Sequence, residues 1–227
     1  MANFIDYDLD GDLDLYVANQ PPFRKDLRKK ITRTSFEYTD RLFRNEGKVF
    51  TDVTEKSGVK NMCYSLSATL SDYNNDGFPD IYVACDYEEP DILYQNNGDG
   101  TFRNATFTSL GHMSNFSMGV DVADINNDGY LDVFTTDMVA EDNYRNKTNM
   151  ASMNIDKFWN MVNSGYHYQY MFNSLQLNNG NGTFSEIAQM AGVSKTDWSW
   201  SSLFMDADHD GYKDLFVTNG IFMEIRN

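Results

Sequence analysis

Oxygen-bearing side chains recur in this chain at a spacing that suits a hard cation. The sets are Asp6, Asp8, Asp10 and Asp14; Asp72, Asn74, Asp76 and Asp80; Asp124, Asn126, Asp128 and Asp132; and Asp206, Asp208, Asp210 and Asp214. In each set they hold relative positions 1, 3, 5 and 9, and position 6 is glycine. Alternate side chains of such a loop turn inward and the glycine takes the sharp bend. The backbone carbonyl of position 7, at Asp12, Phe78, Tyr130 or Tyr212, fills a place that no side chain occupies. Carboxylates this close repel one another until a divalent cation lies between them. The expectation is calcium, one ion per loop and up to four in all.

The residues after position 9 decide how the loops are held. An EF-hand loop needs a bidentate glutamate at position 12, where this chain has Val17, Val83, Thr135 and Val217. The segments DLYVAN, DIYVACD, DVFTTDM and DLFVTNG are β-branched and aromatic, so they read as strands and not as exiting helices. Each loop therefore joins two strands.

The loops start between roughly 50 and 80 residues apart, a period that suggests propeller blades with insertions. Two positions upstream of each loop lie Phe4, Leu70, Val122 and Phe204; further back, Tyr64, Leu66, Phe116, Met118, Trp198 and Trp200 alternate with serines and Gly119. Large and small residues in alternation predict a strand buried on both faces, with the small face allowing close approach of the next sheet. On this pattern Trp198 and Trp200 are expected in the core. A third element follows at 42–54, 93–106 and 175–187, each reading as strand, Asn/Gly turn, strand. Gly58-Val59 and Gly192-Val193 then lead onward. The unit is a four-stranded antiparallel blade, and the chain is expected to be all-β. Blade 1 spans about 1–58, blade 2 about 59–110, blade 3 about 111–192 and a partial blade 4 about 193–227.

DYNNDGFPDIYVA and LYQNNGDGTF resemble the FG-GAP/VCBS repeat, the β-propeller class that includes the integrin α-subunit head. The resemblance implies that each acidic loop joins the two inner strands of a blade and binds calcium. It also implies a secreted or cell-surface setting, extracellular or periplasmic. About three and a half blades cannot close a ring of roughly seven. The remaining blades are expected from missing sequence or from a second copy, and the abrupt start inside the first repeat suggests a piece of a longer protein.

Composition sets the limits. With 227 residues and a net charge of −16, the chain would repel nucleic-acid phosphates. Positions 1, 3, 5 and 9 of the acidic loops carry fourteen of the 34 acids, so much of that charge belongs to the expected ion sites. No stretch is apolar enough to span a membrane. Cys63 and Cys85 are the only cysteines; the expected hairpin puts them out of register, so two buried thiols are expected rather than a bridge.

Two insertions interrupt the repeats. Residues 19–40 carry the basic run Arg24, Lys25, Arg28, Lys29, Lys30 and Arg33, read as a solvated face that could dock an acidic neighbour or a polyanionic glycan. Residues 137–170 include a helix expected over Ala151–Val162 and the aromatics Tyr166, His167, Tyr168 and Tyr170. Trp159 with those tyrosines is the candidate ligand surface, although simple anchoring of the insertion explains the same residues. His112, His167 and His209 are isolated in sequence, and no nucleophile motif accompanies them. The functional expectation is a noncatalytic calcium-binding propeller segment that presents loops to a protein or glycan. The alternative is the scaffold of a secreted polysaccharide-degrading enzyme.

Overall fold

Residues 1–20, 38–149 and 153–220 are described by a computed structural model. Strands β1 (Ala2–Ile5), β2 (Asp14–Val17), β3 (Arg41–Asn45) and β4 (Phe50–Asp52) form one four-stranded sheet in chain order. A second sheet repeats that order with β5 (Tyr64–Ser71), β6 (Asp80–Asp86), β7 (Ile92–Asn96) and β8 (Phe102–Asn104). After β9 (Met113–Ser114), a third sheet takes β10 (Val120–Ala123), β11 (Asp132–Thr135), β13 (Ser174–Asn178) and β14 (Phe184–Glu186). The parallel partner of β9 is β12 (Gln169–Tyr170), within the third blade's insertion. Finally, β15 (Ser199–Met205) and β16 (Asp214–Asn219) make a two-stranded hairpin. Every blade pairing is antiparallel. The result is an incomplete β-propeller-like arc.

Short helices α1 (Thr54–Ser57) and α2 (Thr106–Ser109) follow the outer strands of the first two blades. Gly58 ends α1 in the left-handed conformation at φ 81°, which releases the chain toward the next blade. The insertion carries α3 (Asn143–Asn149) and α4 (Ile155–Asn163).

Each seam between blades is a hydrophobic cluster fed from both sides. Leu70, Ile81, Val83, Tyr94 and Phe102 of blade 2 meet Tyr7, Tyr16 and Leu42 of blade 1. The equivalent Val122, Val133 and Phe184 of blade 3 meet Tyr73, Tyr82 and Leu93 of blade 2. Phe204, Leu215 and Val217 of the last hairpin meet Phe134 and Leu175 of blade 3. The residue two before each loop therefore faces the preceding blade, and Tyr16, Tyr82 and Phe134 face the following one. The alternating pattern built this two-sided core.

Inner strands approach as closely as their small residues suggest. Asn3 Nδ2 donates to the Ala68 carbonyl at 3.2 Å, and Asp121 accepts from the Phe204 N–H at 2.6 Å. A Cβ on Gly119 would lie 2.6 Å from the Trp200 carbonyl oxygen, so only glycine fits there.

Buried carboxylates cross the same seams. Asp91 in blade 2 accepts from the Cys85 N–H, the Tyr82 hydroxyl and Ser117 Oγ of the next blade, each at 2.8 Å. In the preceding blade Asp40 has the equivalent role, accepting from Asn19 N–H, Tyr16, Asn61 and Ser65. Asp137 instead stays within its own blade, accepting from Ser114 Oγ at 2.6 Å and from nearby backbone N–H groups. Burial pushes Asp91 up to about 7 and Asp137 up to about 6.

Several expectations need correction. Cys63 and Cys85 are bonded as a disulfide with Cα atoms 5.6 Å apart. An irregularity in the β5–β6 register between Ser65 and Ser67 sets Ser65 opposite Cys85, and Cys63 reaches Cys85 from just beyond the strand end. Trp200 is 50% exposed and Trp198 only partly buried. Trp200 lies on the side of β15 away from blade 3, where no further blade packs among the described residues. Phe216 on the same side is 53% exposed, and at the opposite end of the arc Phe4 is 62% exposed. The insertion helix begins at Ile155, because Asn154 caps it by accepting from the Lys157 N–H at 2.9 Å; Ala151 lies outside the described residues. So does the basic run Arg24 to Arg33.

Candidate metal centres

The strand registers pin both ends of every acidic loop. Ile5 pairs with Asp14, Ser71 with Asp80, Ala123 with Asp132 and Met205 with Asp214. Position 9 thus sits on the returning strand, opposite the residue that precedes position 1.

Within the loops one hydrogen-bond scheme repeats. The glycine N–H donates to the position 1 carboxylate at 3.1, 2.7, 2.8 and 3.1 Å, for Gly11 to Asp6, Gly77 to Asp72, Gly129 to Asp124 and Gly211 to Asp206. The position 7 N–H donates to the position 5 carboxylate, from Asp12 to Asp10, Phe78 to Asp76, Tyr130 to Asp128 and Tyr212 to Asp210. The position 2 N–H donates to the position 9 carboxylate: Tyr7 to Asp14, Tyr73 to Asp80, Ile125 to Asp132 and Ala207 to Asp214. Position 4 is left-handed in all four loops, at Leu9, Asn75, Asn127 and His209. These bonds tie the position 1, 5 and 9 carboxylates of every loop to its own backbone.

Position 9 does more than face the centre. Asp14, Asp80 and Asp132 are buried, and their second oxygens accept the backbone N–H of Asn45, Asn96 and Asn178. Burial pushes Asp80 up to about 7, and Asp14 and Asp132 are pushed up for the same reason. The rings at position 7 also anchor their loops. A Cβ built on Gly98 would lie 2.9 Å from the Phe78 ring, and one on Gly180 2.8 Å from the Tyr130 ring. The hairpin-turn glycines of the same blade thereby seat the position 7 side chain.

The residue at position 3 divides the loops into two kinds. Asn74 Nδ2 donates to Asp76 at 2.8 Å, and Asn126 Nδ2 to Asp128 at 2.9 Å. An amide N–H thus offsets part of the repulsion in loops 2 and 3. Loops 1 and 4 have aspartate there and no such donor. Carboxylate oxygens of Asp6, Asp8 and Asp14 lie within 4.8 Å of one another, as do those of Asp206, Asp208 and Asp210. In loop 1, Asp6 Oδ1 and Asp8 Oδ1 are buried with no hydrogen-bond partner. A buried anionic oxygen without a donor is costly, and an oxygen-seeking cation is the partner that this donor set fits.

The insertion builds a separate surface. Phe158 stacks on Tyr170 at 5.2 Å and Tyr170 on Phe172 at 5.7 Å. Lys157 pairs with Glu88 at 3.0 Å, and the Tyr166 hydroxyl reaches Glu89 at 3.3 Å, so the insertion of blade 3 leans on blade 2. A cavity of about 250 Å³ beneath α4 is lined by Phe116, Met161, Gln169 and Met171 among others. Trp159 and Tyr168 are exposed beside it. His167 instead turns inward, where burial lowers its pKa. His112 lies 3.3 Å from Glu186 and edge-on to Tyr170, so it is not isolated in space. Burial alone would raise Glu186, yet its bonds to His112 and to the Ala188 and Leu175 N–H groups leave it below the usual carboxylate range.

The comparisons with known proteins bear on these loops. A solved structure of an Agrocybe aegerita lectin, described as recognising non-reducing terminal N-acetylglucosamine, aligns over 95% of this chain at 14% identity and a TM-score of 0.43. The alignment takes in 45% of that lectin, so the chain spans less than half its length. No curated protein matches the chain. The FG-GAP-like repeat matches residues 6–83, 72–135 and 155–217, and each match begins or ends on strands and loops described above. The chain belongs to the FG-GAP-like repeat family.

Proposed function

We propose that this chain is a noncatalytic, calcium-stabilised segment of a β-propeller that works outside the cytoplasm and presents its loops and insertion for binding. The observation that carries the reading is the unpartnered pair Asp6 Oδ1 and Asp8 Oδ1 inside a loop where Asp6 Oδ2 and both Asp14 oxygens accept backbone N–H groups. Calcium would be held by positions 1, 3, 5 and 9 and the position 7 carbonyl, and it would supply charge neutralisation rather than reaction chemistry. Ion binding then adds directly to folding free energy. The Cys63–Cys85 disulfide suits an oxidising compartment. A noncatalytic role fits the raised carboxylates outside the loops, since Asp91 and Asp137 are fully buried and hydrogen-bonded to several donors. The exposed apolar sides at both ends of the arc suit further blades, from more of the same chain or from a second copy.

The aromatic insertion, with Trp159 and Tyr168 exposed above the α4 cavity, is the proposed contact surface for a glycan or protein. A glycan-binding screen with and without calcium, run beside a polysaccharide-cleavage assay, tests the reading. Calcium-dependent retention without cleavage is expected. Cleavage lost on Tyr168→Ala would replace this reading with the enzyme-scaffold one.

A further inference from the structure

The acidic loops touch one another in series, through residues that are not themselves in the ligand positions. Asn75, at position 4 of loop 2, donates its Nδ2 to the Gly129 carbonyl of loop 3 at 2.9 Å. Asn127 makes the same bond one blade on, to the Gly211 carbonyl of loop 4 at 3.2 Å. Both asparagines sit in the left-handed region, at φ 57° and 58°, a conformation asparagine tolerates better than most residues. That conformation turns the side chain out of its own loop and toward the next. Each accepting glycine lies between the position 5 carboxylate and the position 7 carbonyl of its loop. Each donating asparagine lies between positions 3 and 5 of its own.

Resting on the calcium reading above, we propose that Asn75 and Asn127 couple neighbouring cation loops, so that an ion in one loop raises the affinity of the loop before it. A cation draws positions 5 and 7 of loop 4 to fixed places and so fixes the Gly211 carbonyl between them. Asn127 then gains a held acceptor, and its own backbone is held in the shape that presents Asn126 and Asp128 inward. By reciprocity, an ion in loop 3 favours loop 4 equally. One exposed amide–carbonyl bond sets the size of the effect, roughly two- to tenfold in affinity.

Loops 1 and 2 are joined differently. Leu9 at position 4 of loop 1 has no donor, but Asn96 Nδ2 donates to both the Tyr7 carbonyl of loop 1 and the Pro79 carbonyl of loop 2. Asn178 repeats that link from loop 3 to the Tyr73 carbonyl of loop 2. Among the described residues, Asn127 makes the one hydrogen bond between loops 3 and 4, which makes that pair the cleaner test.

The experiment is a calcium titration of the whole chain followed by NMR at the Gly129 and Gly211 amides, one reporter per loop. Asp210→Asn, or Asp210→Ala if the first retains binding, disables loop 4. Asn127→Gly removes the donor while keeping the left-handed backbone. Disabling loop 4 should raise the Gly129 midpoint roughly two- to tenfold more in the native background than in Asn127→Gly. The Asn127→Gly background also retains any repulsion between bound ions, so that effect cancels. A midpoint that shifts equally in both backgrounds, or in neither, overturns the coupling and leaves calcium binding standing. Amides that never respond to calcium in the native chain overturn both.

Discussion

Replacing Cys63 and Cys85 by alanine should cost the fold about 3 kcal/mol. The bond closes a loop across a sequence separation of 22 residues, and the chain-entropy relation gives about that value for a loop of this length. Both sulfurs lie in the seam between the first two blades, beside Val59, Val83 and Tyr94. The paired alanines leave that seam closed over small side chains, so the lost constraint on the unfolded chain dominates. For a chain of this size the loss corresponds to a drop of roughly 6–12 °C in midpoint. Urea unfolding at saturating calcium, followed by tyrosine and tryptophan fluorescence, measures it. Reductant should bring the native chain down to the level of the double variant and leave the variant where it is. Reduction should also be slow, because both cysteines are buried and the thiol must wait for the seam to open. A loss below about 1 kcal/mol, or a variant that still responds to reductant, would refute the reasoning.

Other expected outcomes concern the loops and the seams. Gly98→Ala should destabilise the chain by about 1–2 kcal/mol, since φ is +74° and the new Cβ meets the Phe78 ring; it should also weaken calcium at loop 2 while sparing loop 4, as site-resolved titration would show. Stability at saturating calcium should fall as pH rises from about 4 toward 7. Burial raises Asp91 to about 7, so the folded chain holds that proton more tightly than the unfolded chain, whose aspartates titrate near 4. Asp91→Asn should flatten this slope in part, because Asp137 and Asp40, also raised by burial, contribute with the same sign; an unchanged slope would exclude Asp91 as its source.

The repeat is legible because it is written in residue spacing. Alternation around Leu70, Val122 and Phe204 foretells strands packed on two sides, and the same residues line the three seams. Period two puts Trp200 on the face of Phe204, but a register irregularity between Ser199 and Ser201 turns it to the side away from blade 3, where it is exposed. The disulfide escapes a reading by pattern because a register irregularity between Ser65 and Ser67 cannot be seen in a hairpin drawn from unbroken alternation. The buried carboxylates leave a faint signal, Asp-x-Leu at 40–42 and 91–93, which Asn173 interrupts in the third blade. The inter-loop asparagines are hidden for a different reason. Asn75 and Asn127 recur at position 4, but only the arc brings each within reach of the next loop's carbonyl.

If cations hold the acidic loops together, a pair of melting curves will separate with and without them. The native chain is heated in millimolar calcium and again in excess EDTA with magnesium present. One loop filled at a hundred times its dissociation constant adds about 2.7 kcal/mol, so the calcium curve should lie at least roughly 5–10 °C higher. Two superimposable curves would contradict the claim.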